Sequence, residues 1–365
     1  MSYAISLDSL LNLPAMGIPV INYSPESTWE VGAAAQGYFR LPNQERTSIV
    51  QLDGTYSLHH QWYINTQGTL YFGQRALSPE WQLTFKAGYS DRPSTYYGTY
   101  HDSHFANEGN SGIGMLRKGT SYQLQRGYLN VQAPIYVAKH TAVGPWADLL
   151  IAQFDIQDTY TTNTPLIQVA LGAVAQYDSR DNVFYPTRGI FAKLSAAAAW
   201  TNKRDIPQGQ QATINGLISA DFRHYVSLPR NLVFAWQFKT QLMLSEYHIS
   251  HLTFYPMLPR LGGQDGIRGI NSDMFRDDIM MALQAELRIP IWRIFRAAIF
   301  AGIGDVYDFH NWHWAIPKVG YGLGLRATIN KAKINIRLDL ARSNVDPRWN
   351  NINAYSFYLT ATEAF

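Results

Sequence analysis

The feature that most constrains this chain is a period-two alternation of apolar and polar side chains. It recurs in segment after segment from about residue 29 to the end. In 233–244, Phe234, Trp236, Phe238, Thr240, Leu242 and Leu244 share one face, and Gln237, Lys239 and Gln241 lie on the other. In 319–329, Val319, Tyr321, Leu323, Leu325, Ala327 and Ile329 alternate with Gly320, Gly322, Gly324, Arg326 and Thr328. In 333–341, Ile334, Ile336, Leu338 and Leu340 oppose Lys333, Asn335, Arg337 and Asp339. Successive side chains of a strand point to opposite sides, so each segment reads as a strand with one apolar face. A soluble sandwich alternates too. Charged groups at position after position of the second face, over many long strands, instead suit a wide polar lumen inside an apolar outer wall.

Composition agrees with that choice. Charged residues make up 16%, below the roughly one quarter of soluble domains. No run approaches the roughly 18 apolar residues of a membrane-crossing helix, and alternation hides a barrel's apolar face from bulk hydropathy. There is no cysteine, which suits a chain that passes unfolded through an oxidising compartment. The net charge is +3 with no basic run, so nucleic acid is not a partner to expect. Met1-Ser2-Tyr3-Ala4 has neither the basic nor the apolar region of a secretory signal; the preferred reading is a signal already removed and a Met added.

Clusters of Gly, Pro, Asn, Asp and Ser divide the chain into about sixteen strands. They run from 29–41 to 354–365 and include separate strands at 80–90 and 94–104 and one strand over 119–138. Long connections at 105–118, 247–276 and 308–317 alternate with short turns such as 228–231 and Asn330-Lys331. Trp292, Trp312, Trp314 and Tyr355 fall near strand ends, where amphipathic rings sit at headgroup level. The expectation is an all-β, transmembrane, antiparallel membrane β-barrel over 29–365, preceded by an N-terminal segment, 1–28, that lines the periplasmic mouth or enters the lumen. A single helical turn is conceivable at Leu7 to Leu13.

Two segments go beyond this grammar. Tyr177-Asp178-Ser179-Arg180-Asp181-Asn182-Val183-Phe184-Tyr185-Pro186-Thr187-Arg188-Gly189 resembles the "FPTRG" strand–turn–strand of BamA/Omp85 barrels. Pro186 cannot donate to a ladder and Gly189 permits a tight reversal. Leu261-Gly262-Gly263-Gln264-Asp265-Gly266-Ile267-Arg268-Gly269-Ile270 resembles the same family's "GG…VRGF/Y" loop. The resemblance implies that this long loop folds into the lumen and that Arg268 meets acidic groups on the inner wall. Glu286 matches the acidic position on the next strand. Phe300-Ala301-Gly302-Ile303-Gly304-Asp305-Val306-Tyr307 resembles the following "FxDxGxVW" strand, with Gly302 where the family has Asp. Asp305 is a second candidate partner for Arg268, but at an odd offset from Gly302, so the expected clamp is thinner and rests on Glu286 alone. Phe365, with Ala361, Leu359, Phe357 and Tyr355 at alternate positions before it, resembles the terminal signal for barrel assembly, although Glu363 interrupts the pattern. A terminal strand that merely seals the barrel accounts for Phe365 equally.

The resemblance covers 160–365 by motif and 29–159 by pattern. Tyr23-Ser24-Pro25-Glu26 before Trp29-Glu30-Val31-Gly32 looks like the entry to the first strand in short family members lacking POTRA domains. It implies assistance to the insertion or translocation of outer-membrane protein or lipid substrates in the bacterial outer membrane. The seam would lie between 29–41 and 354–365, with outer-membrane lipids around it and partner subunits supplying what POTRA domains do elsewhere. Gly32, Ala33, Ala34 and Ala35 give the first strand little side-chain packing. A passive pore, or a barrel subunit of a larger complex, is the alternative; a lipid-modifying barrel enzyme ranks below both. Gly109-Asn110-Ser111-Gly112-Ile113 does not meet the G-x-S-x-G pattern, so no catalytic residue is assigned. His101/His104 and His310/His313 have two-ligand spacing only, short of the usual three or four. Neither a metal nor a cofactor is expected.

Overall fold

The structure, a computed structural model, describes residues 15–24, 28–42, 44, 46–73, 80–96, 120–156, 160–161, 165–183, 185–202, 212–245, 255–263, 266–272, 274–309, 317–328, 335–344 and 355–360. The strands, in chain order, are β1 (Ala15–Ser24), β2 (Thr28–Phe39), β3 (Ser48–Ser57), β4 (Trp62–Phe72), β5 (Trp81–Tyr96), β6 (Thr120–Gln132), β7 (Ile135–Tyr136), β8 (Thr141–Ile156), β9 (Tyr160–Thr161), β10 (Leu166–Asp178), β11 (Gly189–Asn202), β12 (Ala212–Leu228), β13 (Leu232–Ser245), β14 (Ile279–Trp292), β15 (Phe295–Tyr307), β16 (Lys318–Thr328), β17 (Asn335–Ser343) and β18 (Ser356–Thr360). Sixteen of them close into one antiparallel barrel; the two-residue β7 and β9 are small additions paired with β8. Closure comes where β18 returns to β1 through Ile21↔Leu359, Asn22↔Tyr358 and Tyr23↔Phe357. A closed barrel leaves no free sheet edge, so every ladder group finds a partner inside a bilayer.

The alternation maps onto the two faces. On β14, Met280, Ala282, Gln284, Glu286 and Arg288 are buried inward. Outward positions carry Leu171, Ile214 and Leu323 at 66%, 71% and 61% exposure. So much apolar surface all round a molecule needs lipid rather than water around it. β10 to β16 run 11 to 17 residues, enough for a spanning strand of about 9–11. The long connections 97–119, 246–278 and 308–317 leave one end of the barrel, and the tight turns at Pro229–Asn231 and Arg293–Ile294 leave the other. In outer-membrane barrels these are the outer and periplasmic ends respectively.

The structure corrects three parts of the sequence reading. The barrel begins inside the 1–28 segment, because Ala15–Ser24 is a full strand. β2 therefore lies inside the sheet, paired with β1 from Ala15↔Gly37 to Ser24↔Thr28 and with β3 from Glu30↔Ser57 to Phe39↔Ser48. Its small residues have a packing reason: a Cβ on Gly32 would collide with the carbonyl oxygen of Gly54. The two strands read at 80–90 and 94–104 are one, Trp81–Tyr96. The turn-like Asp91-Arg92-Pro93 stays extended. The β4 ladder stops at Trp62↔Asp91, whereas β6 continues alongside past Pro93↔Gln123. Pro93 thus sits where one flank of its strand has no ladder, a position that tolerates a missing N–H. Finally, 119–138 divides into β6 and β7.

Candidate functional site

The lumen is filled from both ends. From the outer end the 255–278 segment descends against β14 and β15. Leu261, Ile267, Ile270, Met274 and Phe275 form one apolar cluster with Met280, Ala282 and Val306 of the wall. Burying this surface away from water is the driving force for the inward fold. Local bonds shape the loop tip: Ile267 N donates to Leu261 O (2.9 Å) and Gly263 N to Ile270 O (2.9 Å). Gly262 and Gly266 leave room for the carbonyls of Asn271 and Leu261. Gly269 has φ +92°, and a Cβ there would meet the Arg342 backbone at 2.7 Å. On the wall, Gly320 lies directly under the Arg268 carbonyl.

At the tip, Arg268 is buried within an ionic cluster. Its Nη2 donates to Glu286 Oε2 (3.0 Å) and its Nη1 to Asp339 Oδ2 (2.7 Å). Its guanidinium stacks 3.5 Å above the Phe300 ring. The same two carboxylates bind further arginines. Arg326 reaches both, with Nη2 at 2.9 Å from Glu286 Oε2. Arg288 Nε donates to Glu286 Oε1 (3.0 Å), and Arg337 Nε lies 3.3 Å from Asp339 Oδ2. These side chains are at most 2% exposed. Charges this deep stand only when paired.

Asp305 does not join this cluster. It pairs with Lys318 and caps the Val306 N–H (2.8 Å); at 1% exposure it does not face outward as its odd offset from Gly302 suggested. The second carboxylate is Asp339 on β17, so the clamp does not rest on Glu286 alone. Gly302, where the resemblance has Asp, packs against Ile267, whose Cγ2 would be 3.3 Å from an added Cβ. Sequence reasoning also missed Arg288 and Arg326 as members. The available signal was register: Arg326 lies directly opposite Arg337 across the ladder, and like charges so placed need a carboxylate between them.

From the short-turn end, residues 179–188 fold under the barrel. Asp178 binds Arg180 through Nε (2.9 Å) and Nη2 (2.7 Å). Burial alone would lower the Arg180 pKa, but the Asp178 bond and charge outweigh it and hold the group above its usual value. Asp181 Oδ1 accepts from the N–H groups of Thr187 (2.8 Å) and Arg188 (3.2 Å), and Oδ2 from Thr187 Oγ1 (2.6 Å). Gly189 takes φ +109°, and a Cβ there would meet Ser179 O at 2.5 Å. The turn drives Tyr185, 1% exposed, into the lumen. There the guanidiniums of Arg288 and Arg296 lie 4.9 and 4.7 Å from its ring, and Arg288 Nη1 donates to Pro186 O (3.0 Å). Arg288 is therefore one side chain away from both the loop cluster and the turn.

Phe365, both histidine pairs and Ser111 lie outside the described residues. Among the described residues one acidic group, Asp277, Asp278 and Asp308, brings carboxylate oxygens within 4.8 Å of one another. Two of its bonds are local caps: Asp277 Oδ1 accepts from Asp278 N (2.9 Å) and Asp278 Oδ2 from Phe309 N (3.4 Å).

The sequence matches the Omp85 superfamily domain over residues 61–365. Solved structures of similar fold include BamA from Haemophilus ducreyi lacking POTRA domains 1–3, with TM-score 0.58 and 14% identity over 96% of this chain and 70% of that one. CdiB from Acinetobacter baumannii gives 0.54 and 9% over 94% of this chain, and CdiB from Escherichia coli 0.55 and 12% over 95%. This chain spans 58% and 62% of those two CdiB chains. At such identities the likeness is one of fold. No curated protein matches the sequence.

Proposed function

Because this chain belongs to the Omp85 superfamily, and so resides in the bacterial outer membrane, we propose that it assists the insertion or translocation of outer-membrane substrates at the seam between β18 and β1. The observation that carries this reading is the seam itself. β1 pairs with β2 along its whole length, but with β18 only from Ile21 to Tyr23 among the described residues. β18 is described over Ser356–Thr360. The seam joins the last strand to the first with no turn linking them, so parting it breaks no hairpin, and a parted edge is a template to which a client strand adds. Outside the barrel, Tyr23 and Trp29 lie 5.2 Å apart, and Trp29 lies 6.5 Å from Phe357, so rings from β1, β2 and β18 meet across the junction.

The experiment is reconstitution. The full chain in liposomes should accelerate folding of an unfolded client barrel over empty liposomes. The chain has no native cysteine, so Ile21→Cys with Leu359→Cys gives one defined crosslink across the seam. Oxidation should remove the acceleration and reduction restore it. Equal rates with and without the protein sink the reading.

A further inference from the structure

The strands carry their lysines and arginines on the lumenal face. From Lys86 and Arg126 to Arg326 and Arg337, each shares the inward parity of its strand. Arg342 of β17 is the one exception among the named strands. Arg337, Asp339, Ala341 and Ser343 are buried on the lumenal side, so Arg342 faces outward with Ile336, Leu338 and Leu340. A guanidinium on the lipid face is unfavourable at the bilayer midplane and tolerated near the headgroups. An ionisable group in such a place marks a functional site by default.

Its neighbours are fixed by register. Across the β16–β17 ladder the outward pairs are Ala327↔Ile336, Leu325↔Leu338 and Leu323↔Leu340, ending at the outer side in Tyr321↔Arg342. Directly opposite residues of one face hold their Cβ atoms about 4.5–5.5 Å apart. Three apolar pairs thus lead up to one polar pair. A third member stands just before β18: the Tyr355 ring centre lies 5.4 Å from the Arg342 guanidinium. Both tyrosines are exposed, Tyr321 by 49% and Tyr355 by 40%. The guanidinium has no carboxylate partner among the described residues. On the lumenal side the Arg342 backbone lies against Gly269 of the loop, so the residue is held from within while its side chain stays outside.

We propose that Arg342, with Tyr321 and Tyr355 beside it, binds the phosphate of an anionic outer-leaflet lipid whose acyl chains lie along the leucine pairs of β16 and β17. The guanidinium fork matches phosphate oxygens bidentately. Tyrosine presents an apolar body and a polar tip, the combination favoured at headgroup depth. The occupant is a lipid because the polar pair ends an apolar wall. A lipid brings its phosphate to this depth as it packs against the leucines, whereas a free anion must leave water to reach it. The site lies outside the barrel and needs no parting of the seam, so it stands or falls apart from the insertion reading.

The test uses the full chain folded in nonionic detergent, with dilauroyl phosphatidic acid titrated and bound lipid counted by native mass spectrometry. The first phosphatidic acid should bind at least about tenfold more tightly than dilauroylglycerol, which has the same chains and no phosphate. Arg342→Gln should remove that difference. Arg342→Lys, which keeps the charge and loses the fork, should weaken binding about threefold and serves as the decisive variant if Arg342→Gln fails to fold. Arg293→Gln, at the periplasmic end beside Trp292, should change nothing. Equal binding of the two lipids overturns the proposal. So does affinity unchanged in the Arg342 variants, the result expected of a side chain that merely reaches for water. An equal loss in Arg293→Gln, which would mean a general interfacial effect, overturns it too, as does retention of inorganic phosphate in place of the lipid.

Discussion

Replacing Asp339 by Asn removes one of the two carboxylates that hold Arg268 and Arg326, and the carboxylate that Arg337 faces. Breaking a buried ion pair from one side leaves charge uncompensated, so the variant should lose about 3–5 kcal/mol, read as a lower urea midpoint of the purified barrel. Gly320→Val acts on the same contact from the backbone, since any Cβ at 320 collides with the Arg268 carbonyl. The loop tip should lift, and trypsin should then cut at Arg268, which the native fold buries; unchanged resistance would count against the steric account. The family motif made Arg268 and Glu286 legible as a pair in the sequence. It could not supply Asp339, which lies 71 residues from Arg268. That contact exists only because the loop's apolar face seats against β14 and β15, and no local spacing encodes it. Asp305 misled for the converse reason: it is near the motif in sequence, yet its position in the strand gives it to Lys318.

Among the elements, the 179–188 turn is held at its C-terminal side by the Asp181 carboxylate. Asp181→Ala removes the acceptor of two backbone N–H groups and one hydroxyl. The expected cost is about 1.5–3 kcal/mol, as for hydrogen bonds to a charged group, whereas Thr187→Val, which loses only the hydroxyl bond, should cost less; denaturant midpoints of the two variants give the order. Strand identity was legible wherever one face met lipid and the other the lumen, as in β13 and β16, because environment and pattern then share a period of two. It failed at β1 and β5. β1 reads Ala-Met-Gly-Ile-Pro-Val-Ile, an apolar run without alternation and with a proline. β5 carries Pro93. Pro93 sits where the ladder on one flank has already ended, since β4 leaves β5 at Asp91. Proline argues against a strand flanked on both sides, and the sequence does not say where a neighbouring ladder stops. The two misreadings cancelled in the total, so the strand number was right while its assignment at the N-terminal end was not.

Over the whole molecule, the loop from one end and the turn from the other meet through Arg288, which binds Glu286 on one side and the Pro186 carbonyl on the other. The two occlusions should therefore act as one energetic unit. Asp339→Asn loosens the loop cluster, Asp181→Ala loosens the turn, and neither residue touches the other in the described contacts. Sites without shared partners usually add within about 0.3–0.5 kcal/mol, whereas members of one network couple by about 0.5–3 kcal/mol. If Arg288 carries strain between the ends, the double variant should lose less stability than the two single losses added, because the first already frees the guanidinium that the second would release. Arg288→Met supplies the control: in that background the same two substitutions should become additive. A cycle that is additive with Arg288 present would mean that the loop and the turn close the lumen independently, and that a substrate or solute could displace one without disturbing the other.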